Sequence, residues 1–222
     1  MGAVRLSPYS KRFLVALGAL LLAVPSFAQV PGFSKKQDGE RGKDKSGKVP
    51  KFSNKLAPFV VSPTRVVDQM LEVANLKPGE TLYDLGCGDG RILVAAASKY
   101  KVKAVGVEIS PRLVARAADN IQQAGLSEQA RVMQGDLLTT DVSNADVVTL
   151  YLSTSFNEKL RPRLEKQLRA GARVVSNDYP VPGWKPARIV TTEDHHTHRV
   201  FVYEMPPTRS TDAVPEDFPG KN

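Results

Sequence analysis

The sequence predicts an α/β domain built on a doubly wound, mostly parallel sheet. Three observations carry that expectation. Short apolar runs alternate with segments of helical spacing between residues 58 and 205. A glycine-rich stretch, residues 86–90, sits between the first run and the segment that follows it. The last two apolar runs, residues 187–192 and 199–203, are separated only by the polar residues 193–198, so they form a hairpin and one strand must be antiparallel.

The elements follow in order. Ser62, Pro63 and Thr64 look like a helix start, and Val66, Val67, Met70, Leu71 and Ala74 recur at helical spacing. Pro78-Gly79 is a turn, and residues 81–85 are a short strand. Residues 91–100 are helical, with Ile92, Leu93, Ala95 and Ala96 for burial. Residues 103–107 are a strand ending at Glu108. Ser110 and Pro111 read as cap and first position of a helix that Gly125 terminates. Residues 131–134 lead into Gly135-Asp136, residues 146–152 are strongly β, residues 155–168 are helical, and residues 173–176 follow Gly171 as the next strand.

The ends read differently. Arg5, Lys11 and Arg12 precede an apolar run over residues 13–24, Pro25 breaks it, and Ser26-Phe27-Ala28 places small residues where a signal peptidase reads. Residues 1–28 are therefore expected to be a signal peptide, cleaved after Ala28, that exports the chain to a periplasmic or extracellular location. The alternative is a membrane anchor over residues 13–24, short of the roughly 20 residues that cross a bilayer comfortably. Membrane contact is expected only through this segment, if uncleaved. Residues 29–57 read as a basic, Gly-, Ser- and Lys-rich linker, and residues 206–222, with Pro206, Pro207, Pro215 and Pro219, as a disordered tail.

The net charge of +8 belongs to those ends, because residues 59–222 hold 20 basic and 20 acidic side chains. A balanced domain has no basic face with which to neutralise phosphates, so a nucleic-acid partner is not expected. Cys87 is the one cysteine, so no disulfide forms within the chain. A monomer is expected.

The informative segment is Asp84-Leu85-Gly86-Cys87-Gly88-Asp89-Gly90-Arg91. It joins a strand to a helix at the carboxyl edge of the sheet, where open α/β folds bind ligands. Glycines let the backbone turn and approach a ligand, and a helix start offers amides. A dinucleotide loop needs glycine at the position of Arg91, and Asp84 suits a cationic amine better than a pyrophosphate. Glu108, about twenty residues on, can accept from ribose hydroxyls. Asp136, at the end of the third strand, can reach an adenine amino group or simply cap a turn.

Residues 59–203 resemble the class I, seven-β-strand S-adenosylmethionine-dependent methyltransferases, a Rossmann-like fold. Residues 84–90 match the first motif of that family, Glu108 its second-strand acid and Asp136 its adenine-proximal acid. More narrowly, Ser62-Pro63-Thr64-Arg65-Val66-Val67, Tyr83-Asp84-Leu85-Gly86, Tyr151-Leu152 and residues 174–180 (Val-Val-Ser-Asn-Asp-Tyr-Pro) resemble a subgroup. It contains small bacterial methyltransferases and the mitochondrial enzymes that methylate lysines of the ADP/ATP translocase and an ATP synthase subunit. The resemblance implies a sheet order of 3-2-1-4-5-7-6 with strand 7 antiparallel. It implies S-adenosyl-L-methionine as cofactor, held by Asp84, Gly86, Cys87, Gly88, Gly90, Glu108 and Asp136. It also implies a protein lysine as acceptor. The Asn/Asp-Pro-Pro-Tyr of base and glutamine N-methyltransferases is missing: Tyr151-Leu152-Ser153-Thr154 stands there.

Methyl transfer from a sulfonium needs positioning and a dry site more than a strong base. The catalytic candidates are Tyr151 at the fourth strand's end and Asn177, Asp178 and Tyr179 at the fifth's. The competing reading has Asp178 capping a turn before Pro180 and Tyr179 packing. His195, His196 and His198 read as a polar turn, Cys87 as a small residue suited to a tight loop, and Trp184 as a cover for the hairpin base or the substrate mouth. The leading function is N-methylation of a protein lysine or small amine. A small-molecule O-methyltransferase, a nucleotide-dependent oxidoreductase and a binding protein without transfer activity are the alternatives.

Overall fold

Four central strands are apolar on both faces, which forces cover onto both sides of the sheet. They are β1 (Thr81–Leu85), β2 (Lys103–Glu108), β4 (Val147–Leu150) and β5 (Arg173–Asn177); every residue of them beyond the first position is buried. The computed structural model describes residues 60–209, to which the account below is confined. The expected leader and linker, and everything beyond residue 209, lie outside the described residues.

With β3 (Ala130–Gln134), β7 (Arg188–Glu193) and β8 (Thr197–Glu204), these strands form one seven-stranded sheet of order β3-β2-β1-β4-β5-β8-β7. Pairing is parallel from β3 through β5, and β8 runs antiparallel to both β5 and β7. The order and the reversed strand are those expected from the sequence. A two-stranded ribbon was not expected: β6 (Trp184–Lys185) pairs with β9 (Thr208–Arg209). Thr208 and Arg209, which fall in the expected tail, are thus paired backbone. Two-residue strands have no periodicity to detect.

One face of the sheet carries α1 (Thr64–Val73), α2 (Arg91–Tyr100) and α3 (Pro111–Gln123). Val66, Met70 and Leu71 of α1, Leu93 and Ala96 of α2 and Ile121 of α3 pack with Leu82, Ala104, Val147 and Val175 into one core. The other face carries α4 (Thr154–Gln167), whose Phe156, Leu160 and Leu164 pack on Tyr83, Leu85, Val148, Leu150 and Tyr203. Residues 137–142 and 181–184 complete that side. Trp184 belongs to this second core: it is 3% exposed, stacks edge-on at 5.4 Å against Tyr203, and donates through Nε1 to Glu165 at 2.7 Å. Its ring contact with Tyr203 places it against β8, the second strand of the hairpin.

Helix starts differ from expectation in detail. Ser110 is the N-cap of α3 and Pro111 its first residue, but the Ser110 side chain makes no capping bond. Its amide is held instead by Glu108 Oε1 at 2.9 Å. At α4 the cap is Ser153, which accepts from the Phe156 amide. No helix of the described residues is long and apolar enough to cross a membrane.

Gly106 in β2 lets the loop after β1 sit against the sheet. A Cβ there would stand 2.6 Å from both Cys87 Sγ and Leu93 Cδ1. Gly106→Ala is expected to lose about 1–3 kcal/mol of stability by overpacking. Thermal unfolding measures this directly, and an unchanged melting temperature would contradict the close approach.

Candidate functional site

The parallel strands end side by side, so the segments that follow them share one edge. Leu85 pairs with Val107 on one side and Leu150 on the other. Gly86 leaves β1 with φ 85°, a left-handed conformation that glycine adopts without penalty. A Cβ on Gly86 would lie 3.1 Å from Leu152 Cδ2, so the loop after β1 touches the segment after β4.

This loop spends its amides on its own chain. Gly86 and Cys87 donate to the Val107 carbonyl at 2.8 and 3.1 Å, and Gly90 donates to Cys87 at 2.9 Å. Gly88 donates to Glu108 Oε2 at 3.1 Å, and the Arg91 amide leans on Asp89 Oδ1 at 3.4 Å. The expectation of amides free for a ligand is therefore corrected at these five positions. An anion would have to displace internal bonds. What the loop offers instead are acceptors, since a carboxylate oxygen that takes one donor keeps a further lone pair. That donor–acceptor balance fits a ligand with ribose hydroxyls and an ammonium, as S-adenosylmethionine has, and does not fit a pyrophosphate.

Glu108 is the hinge of the arrangement. It is 7% exposed, with Oε2 on Gly88 and Oε1 on Ser110. Asp84 lies deeper than the sequence suggests: it is 3% exposed, and its Oδ1 accepts from the Thr149 hydroxyl at 2.8 Å across the β1–β4 pair. Burial pushes its carboxyl up to about 7, against the pull of the Thr149 bond, with Glu108 and Asp89 adding repulsion. Cys87 is buried beside these carboxylates, and burial first, then Asp84 and Glu108, drive its thiol pKa far upward. A thiolate nucleophile is disfavoured there. Asp136 Oδ1 accepts from the Leu138 amide at 2.9 Å, and its carbonyl takes the Thr139 and Thr140 amides. That oxygen caps a turn, the plainer of its two expected roles.

Two residues of the loop, Asp89 and Arg91, were given no structural role by the sequence analysis. Arg91 grips Asp89 with two bonds, Nε–Oδ1 at 2.9 Å and Nη2–Oδ2 at 2.7 Å, and its Nη1 reaches the Ser62 carbonyl at 2.7 Å. Hydrogen bonding from Arg91 holds the Asp89 carboxyl below the usual carboxylate range. The residue that replaces a dinucleotide-loop glycine thus straps the segment before α1 to the loop.

A second cluster lies at the ends of β4 and β5. Tyr151, Asn177, Asp178 and Tyr179, four separate candidates in the sequence, are brought together. Burial first, then the nearby Asp178 carboxylate, raise the Tyr151 pKa strongly. The Tyr151 and Tyr179 rings are tilted by 31° with centroids 6.2 Å apart. Asn177 Nδ2 donates to Asp178 Oδ2 at 3.2 Å, while the fully buried Asn177 Oδ1 has no hydrogen-bond partner. Asp178 has φ 58° in a tight turn closed by the Tyr179 amide on the Asn177 carbonyl at 2.7 Å. A side chain held there costs ~1–3 kcal/mol, which surrounding bonds must offset. They come from β8: the Asp178 amide donates to the Arg199 carbonyl at 2.7 Å and the Arg199 amide to Asp178 Oδ1 at 3.0 Å. Asp178 does sit in a turn before Pro180, but its carboxylate is engaged with other elements. The histidines divide. His195 and His196 lie exposed in the turn between β7 and β8, whereas His198 is in β8, 8% exposed, with Nδ1 2.8 Å from Asp178 Oδ2. The expectation that His198 is part of the polar turn is corrected. A signal was available, since residues 198, 200 and 202 alternate toward one face.

Because Asp84 titrates near 7 when folded and near 4 when unfolded, the folded state holds the extra proton between those values. Its ionisation therefore removes stability as pH rises from about 4 to about 7. Asp84→Asn keeps an acceptor for Thr149 and lacks this titration. The ligand-free variant is expected to gain on the native protein across that window, by at most about 4 kcal/mol above pH 7. Denaturant melts at pH 5 and 8 check this; an advantage that does not grow with pH would refute the raised carboxyl.

Residues 84–188 match the family model of the ANTKMT methyltransferase domain. A protein-lysine N-methyltransferase of Saccharolobus islandicus (strain REY15A) is 43% identical over 148 residues, 66% of this chain and 92% of that protein. An adenine nucleotide translocase lysine N-methyltransferase of Mus musculus is 34% identical over 161 residues, 71% of this chain and 69% of that protein. Among solved structures, an RNA methyltransferase from Salinibacter ruber in complex with S-adenosyl-L-homocysteine has a TM-score of 0.63 and 43% identity, covering 72% of this chain and 99% of that one. The sheet, the acidic glycine loop and these relatives agree: the chain belongs to the class I S-adenosylmethionine-dependent methyltransferases, within the ANTKMT methyltransferase family.

Proposed function

We propose that this enzyme transfers methyl groups from S-adenosylmethionine to lysine side chains of proteins. The observation that carries this reading is the gathering of Tyr151, Asn177, Asp178 and Tyr179 where β4 and β5 end, and the two lysine N-methyltransferase relatives support it. When bound, the cofactor supplies a methyl group already activated as a sulfonium.

The chain's own residues would do the rest. Glu108 accepts from ribose hydroxyls, Asp84 and Glu108 make the loop favourable to a cation, and the second oxygen of Asp136 takes the adenine amine. Gly86, Cys87, Gly88 and Gly90 let the backbone lie close. Tyr151, Asn177, Asp178 and Tyr179 receive the acceptor. A lysine must arrive neutral, its ammonium proton passing to solvent. Its nitrogen then forms the N–C bond as the donor's S–C bond breaks, and the electron pair stays on sulfur. The methylated ammonium sheds a proton to solvent if it is to react again.

RNA is the competing acceptor, because the Salinibacter protein is described as an RNA methyltransferase. The equal numbers of acidic and basic residues in residues 59–222 favour protein. Incubation with radiolabelled cofactor and fractionated extract separates the two. Label is expected to be protease-sensitive and recovered as methylated lysine after acid hydrolysis; ribonuclease-sensitive label would overturn the reading. In isothermal titration, Asp84→Ala is expected to weaken S-adenosylhomocysteine binding at least tenfold, and native affinity in that variant would remove Asp84 from the site.

We further propose that residues 1–28 direct export. Sequencing of the mature amino terminus is expected to begin at Gln29, and a mature chain that keeps residues 13–24 would favour the anchor.

A further inference from the structure

The chain leaves the sheet after β5 and stays outside any strand until Trp184. Side chains of α4 hold it there. Asn157, Arg161 and Glu165 stand four residues apart, so they share one face of the helix. Asn157 Nδ2 donates to the Tyr179 carbonyl at 2.9 Å, with the Pro180 carbonyl at 3.3 Å. Arg161 Nη1 donates to the Pro182 carbonyl at 2.7 Å, and Glu165 accepts from the Trp184 indole at 2.7 Å. The three anchors meet the segment in chain order, and Asn157 takes the end nearest the acceptor candidates.

Asn157 is fully buried, on a helix whose Phe156, Leu160 and Leu164 pack in the apolar core. Carbonyl oxygens only accept, so the amide must present Nδ2 to them, and its Oδ1 is left with no hydrogen-bond partner. A buried acceptor without a donor is destabilising, and an apolar side chain of the same shape would avoid it. What the amide secures instead is the turn. Ser176 Oγ accepts from Asn157 Nδ2 at 3.3 Å and donates to the same Tyr179 carbonyl at 2.6 Å. α4 and β5 thus hold one backbone oxygen between them.

That oxygen belongs to a residue central to the second cluster. The Tyr179 ring centroid is 6.2 Å from that of Tyr151, and the Tyr179 amide closes the Asp178 turn on the Asn177 carbonyl at 2.7 Å. β4 pairs with both β1 and β5, so this turn and the glycine loop leave the same edge of the sheet. We propose that Asn157 is a positioning residue for the methyl acceptor: by fixing the Tyr179 carbonyl it sets where Asn177, Asp178 and Tyr179 stand at the end of β5. The inference rests on the lysine reading, in which those residues receive the acceptor. Asn157 acts only through the turn, and no bond to it forms or breaks during transfer.

The test uses the full chain, with methyl transfer to a protein lysine substrate and S-adenosylhomocysteine affinity measured for every variant. Asn157→Ala is expected to lower kcat by about 10- to 100-fold, the scale of a misplaced reacting group, with cofactor Kd within about threefold of native. Arg161→Met cuts the next anchor along the segment. It is expected to lower the melting temperature while kcat stays within about threefold of native, whereas a merely structural role for α4 would move both variants together. Ser176→Ala removes the other donor to the Tyr179 carbonyl with little change of shape, and is expected to lower kcat about tenfold. The double variant Asn157→Ala/Ser176→Ala is expected to depart from the product of the single effects by at least about threefold, because both donors act on one oxygen. An Arg161→Met variant that loses as much kcat as Asn157→Ala overturns the proposal, and so does strict independence of Asn157 and Ser176. If Asn157→Ala folds poorly, equal kcat in Ser176→Ala and Arg161→Met overturns it. A native enzyme that transfers nothing to lysine overturns the lysine reading and this inference together. A native enzyme that transfers, while Asn157→Ala keeps its kcat, overturns this inference alone.

Discussion

Glu108 ties the site together. One of its carboxylate oxygens holds the Gly88 amide in the loop after β1, and the other holds the Ser110 amide at the start of α3. Two loops that belong to neighbouring strands are thereby fixed to one buried side chain. Gly106, two residues earlier on β2, supplies the space into which Cys87 and Leu93 settle. The glycine loop is consequently shaped by β2 as much as by its own sequence. With the amides of Gly86, Cys87, Gly88, Gly90 and Arg91 engaged internally, it presents oxygen acceptors at the sheet edge, and that selects a ligand rich in donors and positive charge over an anionic one.

The second half of the site depends on the reversal of β8. A parallel strand in that place would bring its carboxyl end to the edge. The antiparallel one brings its beginning, and with it His198 and Arg199, against the turn after β5. The bonds from β8 hold Asp178 in a left-handed conformation that side chains seldom adopt. Asp178 is thereby fixed near Tyr151, the residue that follows β4, whose pKa burial and that carboxylate raise. The loop after β1 and the segment after β4 come close enough that a Cβ on Gly86 would stand 3.1 Å from Leu152 Cδ2.

Much of this was legible in the chain. The apolar runs of β1, β2, β4 and β5 announce strands buried on both faces, and the spacing of Val66, Met70 and Leu93 announces the helices over them. The hairpin was visible as two β runs around a polar stretch. The β6–β9 ribbon was not, because its two strands have two residues each and lie far apart in sequence. Single side chains were harder still. Ser110 has the identity and place of a helix cap, yet makes no capping bond because Glu108 holds its amide. Asp136 stands at a strand end as the family's adenine-side acid does, yet one oxygen serves a local turn. In each case the residue type was informative and the partner was not, because a short polar side chain bonds whichever group the fold brings near it.

The order of elements, the acidic glycine loop and the four residues Tyr151, Asn177, Asp178 and Tyr179 were determined by the amino-acid sequence alone, because periodicity and spacing are properties of a linear chain. The tertiary structure decided the rest: the depth of Asp84, the grip of Arg91 on Ser62, and the meeting of His198 with Asp178. These link residues twenty or more positions apart, or depend on how much water is left beside a charge. Burial and long-range pairing come into being only when the strands align, so no local pattern encodes them.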